Sequence, residues 1–241
     1  MKLAYRARSD IGLVRSVNED CYAVENGPAA ATVGSLFVVC DGRGGPNAGE
    51  IAAQMAAYRI VSTFYASSAP DRSKALIEAF QAANQRIYQQ WSKSSTWVTV
   101  VAAVVVEEQL IIANVGDCRA YHFHAGRLRR VTVDHTVQEE LIRQGLLSRD
   151  VAQHYASFIT RLRAVGASVE LEVDVFQDVL PKEDALLLCT DGLHGYLQDS
   201  ELEQTLATTA WDEVVDRFVD LANARGGRDN VTAVVIWREE S

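Results

Sequence analysis

Between Thr99 and Val133 four runs of β-branched and aromatic residues follow one another with only short turns between them: Thr99 to Val106, Leu110 to Val115, Arg119 to Phe123 and Leu128 to Val133. Neighbouring parallel strands need a crossover of about a dozen residues or more, usually a helix. These gaps hold no such crossover, so the segment reads as an antiparallel meander. Further strand-like runs lie at Leu36 to Cys40, Val169 to Phe176, Ala185 to Cys189 and Val231 to Trp237. Helices are fewer. Leu76, Phe80, Ala83 and Ile87 recur at i, i+4, i+7 and i+11, and Ile51, Met55 and Tyr58 mark a similar face after Pro46-Asn47-Ala48-Gly49. Thr136 with Glu139 is a capping-box pattern stopped by Gly145, and Val214, Phe218 and Leu221 mark a last helix ending at Gly226. The expected fold class is α+β, with sheets layered against helix pairs in an order that periodicity leaves open.

No Pro/Ser/Gly-rich linker or charge block divides the 241 residues, so a single domain over 1–241 is expected. The longest loop-like stretch runs from Glu25 to Ser35. A net charge of −9 argues against a nucleic-acid binder, which needs a basic stripe to displace counterions. No apolar run approaches the length that spans a bilayer, and the first residues do not resemble a signal peptide. Cys21, Cys40, Cys118 and Cys189 lie far apart without a CxxC pair, which disfavours a zinc site or disulfide framework. A cytoplasmic protein with reduced thiols and no membrane partner is the plain expectation.

Acidic residues gain meaning through their placement. Cys40-Asp41-Gly42-Arg43-Gly44-Gly45 and Cys189-Thr190-Asp191-Gly192 each follow a strand, and Gly227-Arg228-Asp229-Asn230 immediately precedes one. Glu19-Asp20 follows Arg15 at a short distance. A lone Asp-Gly is more often a plain turn. Several carboxylates, each placed at a strand end, form instead the donor set that hard divalent cations such as Mg²⁺ and Mn²⁺ take.

These residues carry a resemblance. Arg15-x-x-Asn18-Glu19-Asp20, Val39-Cys40-Asp41-Gly42-x-Gly44-Gly45, Asn114 to Tyr121 around Gly116-Asp117, Thr190-Asp191-Gly192 and Asp229-Asn230-Val231-Thr232 occur in the order of the metal-dependent protein phosphatases of type 2C, and the chain resembles their compact bacterial members from about Arg8 to Trp237. The resemblance implies a central sandwich of two antiparallel β-sheets flanked by α-helical layers, and a flap at about 135–163 read as two short helices and a loop. It implies that Asp20 and Asp41 are metal ligands with the Gly42 carbonyl, that Asp191 and Asp229 hold a second Mn²⁺ or Mg²⁺, and that Asp41 bridges the two. Asp117 with Asp191 matches a weaker third metal site. Glu19 would bind a metal-bound water, with Asn230 beside Asp229 in support. Arg15 would grip the substrate phosphate, a task suited to a guanidinium. The implied activity is hydrolysis of phosphoserine and phosphothreonine in proteins, by in-line attack of a metal-bridging water, in reversal of a serine/threonine kinase. A phosphatase dedicated to one regulatory protein, and a phosphate-binding scaffold without turnover, are the alternatives.

Two positions depart from the pattern. Arg43 stands where many relatives carry His or Met. An arginine does not give up its proton, so Arg43 cannot protonate a leaving alkoxide, and activated aryl phosphates should be favoured over phosphoserine. Trp97, in Thr96-Trp97-Val98-Thr99, replaces a glycine, which suggests a locally remodelled strand start. Of the histidines, His135, His154 and His194 fall nearest these motifs, with His194 the best substitute proton donor. The cysteines read as small buried residues.

Overall fold

The computed structural model describes residues 3–148, 151 and 160–239. Ten strands and seven helices are described. In chain order the strands are β1 (Leu3–Asp10), β2 (Asp20–Glu25), β3 (Ser35–Arg43), β4 (Trp97–Val106), β5 (Gln109–Val115), β6 (Arg119–His124), β7 (Arg127–Arg130), β8 (Asp174–Val179), β9 (Ala185–Cys189) and β10 (Val231–Arg238). The helices are α1 (Ala30–Val33), α2 (Ala48–Ala66), α3 (Arg72–Trp91), α4 (Val137–Arg143), α5 (Asp191–His194), α6 (Asp199–Thr208) and α7 (Val214–Ala224). Two five-stranded sheets form, in the orders β1-β10-β9-β6-β7 and β2-β3-β4-β5-β8, with every named pairing antiparallel.

Three apolar layers hold the sheets and helices together. Phe37, Val39, Val101, Ile112, Leu188 and Val234 are buried between the two sheets. Val38, Val100 and Val104 point the other way, onto Ala53, Ile60, Leu76 and Phe80 of α2 and α3. Leu187 and Val235 of the first sheet meet Leu202, Leu206, Phe218 and Val219 of α6 and α7. Each sheet is therefore covered on both faces, and β4 reads as an unbroken apolar run because neither of its faces meets water. The expected sandwich flanked by helical layers is what forms.

Several boundaries differ from those read in the sequence. β1 and β2 lie at sheet edges, and the half-exposed, Arg-bearing alternation of β1 left no apolar signal. The run Val169 to Phe176 becomes strand only from Asp174, because Asn84 of α3 donates to the carbonyls of Ser168 and Val169 at 3.0 and 3.1 Å and holds that stretch against the helix. β7 stops at Arg130, short of Val133, as the chain turns to bring Asp134 onto Arg119. The buried face of α2 is Ala52, Ala53, Ala56, Ala57, Ile60 and Phe64, whereas Ile51 and Tyr58 face outward. Alanines on that face let α2 pack closely on both α3 and β3. Trp97 remodels nothing: it opens β4 in regular register, paired with Arg43. Thr136 caps α4 by accepting from the Glu139 amide at 3.2 Å. The flap expected at 135–163 is described only in part, since residues 152–159, His154 among them, lie outside the described residues.

Candidate active site

Strand ends gather the acidic motifs at one end of the sandwich. Asp20 opens β2 and Asp41 nears the end of β3, and the two are direct cross-strand partners. Asp191 begins α5 just past β9, and Asp229 stands before β10, beside β9 in the other sheet. Asp117 lies in the turn between β5 and β6. Two glycines make this convergence possible. A Cβ on Gly42 would lie 2.2 Å from the Gly49 carbonyl oxygen, and one on Gly192 would lie 1.8 Å from that of Asn230. No larger residue fits where these backbones close on one another.

Each carboxylate has its own fixings. The hydroxyls of Thr190 and Thr232 both donate to Asp20 Oδ2 at 2.8 Å, so a carboxylate of one sheet is held by the strand ends of the other. Asn230 ties the β1–β2 loop in place: its Oδ1 accepts from the Glu19 amide at 2.9 Å, while its Nδ2 donates to the carbonyls of Ile11 and Val17 at 2.9 and 3.0 Å. Glu19 accepts from the Gly49 amide at the start of α2, where the helix dipole favours an anion. Arg15 stands half-exposed at the rim and donates to Asp229 Oδ2 at 2.9 Å.

Arg161, from the flap, has no motif to announce it, and sequence reasoning missed it. Its Nε donates to Asp117 Oδ1 at 2.8 Å, and its NH2 donates to Asp191 Oδ2 at 2.7 Å and to Asp41 Oδ2 at 3.3 Å. The guanidinium also lies 4.9 Å from the centre of the Trp97 ring, with Arg43 over the same ring at 5.7 Å. Among the described residues no three carboxylate, imidazole or thiol groups close into a finished metal cage, and Arg161 sits in the space between three of the acids.

One arginine does not satisfy this much charge. Removal from water, and then the charges of Asp191 and Asp229, push Asp20 up to about 8 despite its two hydroxyl donors. Asp191 is pushed up to about 7 by removal from water and by Asp117, with Arg161 opposing. Asp41 lies well above the usual carboxylate range, through removal from water and then through Asp191 and Asp20. Asp117 is also raised, and its buried Oδ2 has no hydrogen-bond partner among the described residues. Mutually repelling, oxygen-only donors fit hard divalent cations, which are the charge this end of the sandwich lacks.

Neither His135 nor His194, the two described histidines near the motifs, supplies a proton donor. His194 is half-buried, its Nε2–H is committed to the Asp117 carbonyl at 2.9 Å, and removal from water followed by the charge of Arg119 holds its pKa down to about 3. It orients the Asp117 turn, a structural role. His135 accepts from the Gly116 amide at 3.2 Å and turns its other nitrogen toward Asp174. Cys40, Cys118 and Cys189 are buried as expected, while Cys21 is half-buried.

A two-sheet antiparallel sandwich that gathers strand-end aspartates, with an arginine at their rim, defines a metal-dependent hydrolase of phosphate esters. The protein phosphatase 2C family profile matches residues 12–143, and the chain belongs to that family. It is 33% identical to the serine/threonine phosphatase stp of Listeria monocytogenes, over 96% of this chain and 94% of that protein. Among solved structures it is similar to the serine/threonine phosphatase Stp1 of Staphylococcus aureus, with a TM-score of 0.90 at 28% identity over 100% of this chain and 96% of the other. It is also similar to the catalytic domain of the serine/threonine protein phosphatase PstP in complex with two manganese ions, with a TM-score of 0.84 at 30% identity over 97% of each chain.

Proposed function

We propose that this chain is a serine/threonine phosphoprotein phosphatase that hydrolyses phosphomonoesters at a two-cation centre, by direct attack of water on phosphorus without a phosphoenzyme. The observation that carries this reading is the meeting of Asp20, Asp41, Asp191 and Asp229 at one end of the sandwich, with Asp20, Asp41 and Asp191 raised by removal from water and then by the charge of neighbouring aspartates. Asp20 and Asp41 with the Gly42 carbonyl would hold one Mn²⁺ or Mg²⁺, Asp191 and Asp229 the other, with Asp41 shared between them. When bound, such cations neutralise the phosphate dianion and bring the pKa of a water down toward neutrality.

The chain's own groups do the rest. Arg15, exposed and held only by Asp229, exchanges that carboxylate for the incoming phosphate, to which its guanidinium can offer two parallel donors. Glu19, anchored on the α2 amide, would accept from a metal-bound water. No imidazole among the described residues faces the carboxylates, and Arg43 is exposed on the Trp97 face, so among the described groups solvent would be the source of the proton for the leaving alkoxide. The substrates would be products of serine/threonine kinases. Residues 1–241 would act as one catalytic domain with a flap at about 135–163, in the cytoplasm; no helix among the described residues is long and apolar enough to cross a membrane.

Hydrolysis of p-nitrophenyl phosphate and of a phosphoserine peptide, with and without Mn²⁺ and alongside Asp191→Ala, tests the reading. Activity should require Mn²⁺ and fall by about 10³-fold or more in the variant, the scale of losing a pre-organised electrostatic group. Equal rates in all samples would sink it.

A further inference from the structure

The carboxylates at the sandwich end divide into two groups. Among the described residues Asp20 and Asp229 have no cationic partner deep in the site: Asp20 is held by hydroxyls, and Asp229 by Arg15 at the exposed rim. Asp117 and Asp191, the pair that the family resemblance marks for a third ion, are bridged by one guanidinium, at 2.8 Å from Asp117 Oδ1 and 2.7 Å from Asp191 Oδ2. Mg²⁺ binds carboxylate oxygens at about 2.0–2.1 Å and needs near-octahedral space around it. A cation bridging these two oxygens would overlap the guanidinium nitrogens, so the two positive groups exclude one another.

Arg161 is not a loose side chain that happens to fall there. Its backbone is stitched on both sides: the Leu162 amide donates to the His135 carbonyl at 2.7 Å, the Val137 amide donates to the Thr160 carbonyl at 2.9 Å, and Arg161 bridges Thr136. Four residues on, Val165 exchanges both backbone hydrogen bonds with Val98, at 2.8 and 2.9 Å, at the mouth of β4. Trp97, beside Val98 and standing where the family pattern has glycine, gives the guanidinium a flat face 4.9 Å away. The side chain is 11% exposed. Backbone tether, aromatic shelf and three carboxylates all aim one cation at one place.

We infer that Arg161 is a positioning residue that takes the place of the third metal ion, so that this chain works with two exchangeable cations and one built-in one. The inference rests on the two-cation reading above and adds to it the division of labour among the aspartates. Asp20, Asp41 and Asp229 with part of Asp191 serve the exchangeable ions; Asp117 serves Arg161. A tethered guanidinium cannot be chelated or diluted away, so the charge at Asp117 is constant whatever the metal supply, and the Trp97 ring gives it a surface to rest on.

Metal counting tests this without recourse to activity. Equilibrium dialysis against Mn²⁺, with the bound metal quantified, is run on the parent, Arg161→Ala, Arg161→Gln and the double variant Arg161→Ala/Asp117→Asn. The parent should bind about two ions and Arg161→Ala about three, with the double variant returning to about two, since only the vacated Asp117–Asp191 pair offers new oxygen ligands. Arg161→Gln, which keeps the bulk and loses the charge, should also gain Mn²⁺ and stands in if the alanine variant does not fold. A parent that already binds a third ion, or a folded Arg161 variant whose count matches the parent's, would overturn the inference and leave the phosphatase reading standing. A parent that binds no Mn²⁺ would overturn that reading and this inference with it.

Discussion

Two buried clusters of arginine and aspartate flank the β5–β6 turn, and they are built to opposite ends. In the first, Arg119 meets Asp134 through three hydrogen bonds of 2.6 to 3.1 Å and donates also to the Tyr121 hydroxyl at 2.9 Å, while Arg130 pairs with Glu139 at 2.8 Å. Positive and negative charges match. Burial alone would raise Asp134, yet the Arg119 guanidinium holds it below the usual carboxylate range. In the second cluster a single guanidinium, that of Arg161, faces Asp41, Asp117 and Asp191, with Asp20 and Asp229 close behind, and Asp20, Asp41, Asp117 and Asp191 all rise. The first cluster is electrostatically complete and braces the fold. The second is short of positive charge, and that shortage is what a metal-dependent enzyme needs in order to bind its ions.

Breaking the completed cluster should have the larger effect on stability. Arg119→Ala leaves Asp134 buried and unpaired and is expected to cost about 3–5 kcal/mol in urea unfolding. It should leave the Mn²⁺ count unchanged. The same truncation at Arg161, made in Mn²⁺-saturated protein, should cost well under half as much, because cations can replace the lost charge. Similar losses at the two arginines would erase the distinction.

The pH dependence of the metal-free protein should show the charge deficit directly. Asp20 and Asp191 keep protons in the folded state, up to about 8 and about 7, that the unfolded chain releases near its ordinary carboxylate range. The folded state therefore binds more protons across this window, and stability falls as pH rises from about 4.5 to 8. Without metal, the melting temperature should be lower at pH 8 than at pH 5.5 by about 5–10 °C, and saturating Mn²⁺ should flatten the slope. A slope unaffected by Mn²⁺ would place its origin in some other part of the molecule.

The smallest expected effect concerns Arg43, exposed on the outer face of Trp97 and part of neither cluster. Arg43→His offers a group that can give up a proton near neutral pH. The ratio of phosphoserine-peptide to p-nitrophenyl phosphate turnover should rise by about 3–10-fold, at the low end of what a positioned general acid contributes. An unchanged ratio would confine Arg43 to the solvated rim.

Much of this molecule could be read before its coordinates. The β4–β7 meander was legible because both faces of β4 and β5 are buried, leaving β-branched runs no other element would carry. The helix α3 was legible because one face is apolar at helical spacing. The face of α2 was misread because its buried residues are mostly alanines, which a hydrophobic stripe passes over, while Ile51 and Tyr58 point outward. Asp20, Asp41, Asp191 and Asp229 could be named from local pattern, since strand ends and turn glycines are local features, whereas Asp117 entered only through the family resemblance.

The sequence by itself pointed to the acidic residues that the fold brings together, because motif residues sit in short segments whose conformation is dictated by their immediate neighbours. It also settled the class of fold, since a chain with this succession of apolar runs has few ways to bury them. Only the tertiary structure decided how the charges balance. Asp117 and Arg161 are 44 residues apart and meet at 2.8 Å, and Asp20 finds its hydroxyl donors 170 and 212 residues away. Electrostatic interaction depends on distance through space and on exclusion of water, neither of which is written in the order of residues. The difference between a completed ion cluster and one left open for metal was therefore visible only once the chain had closed.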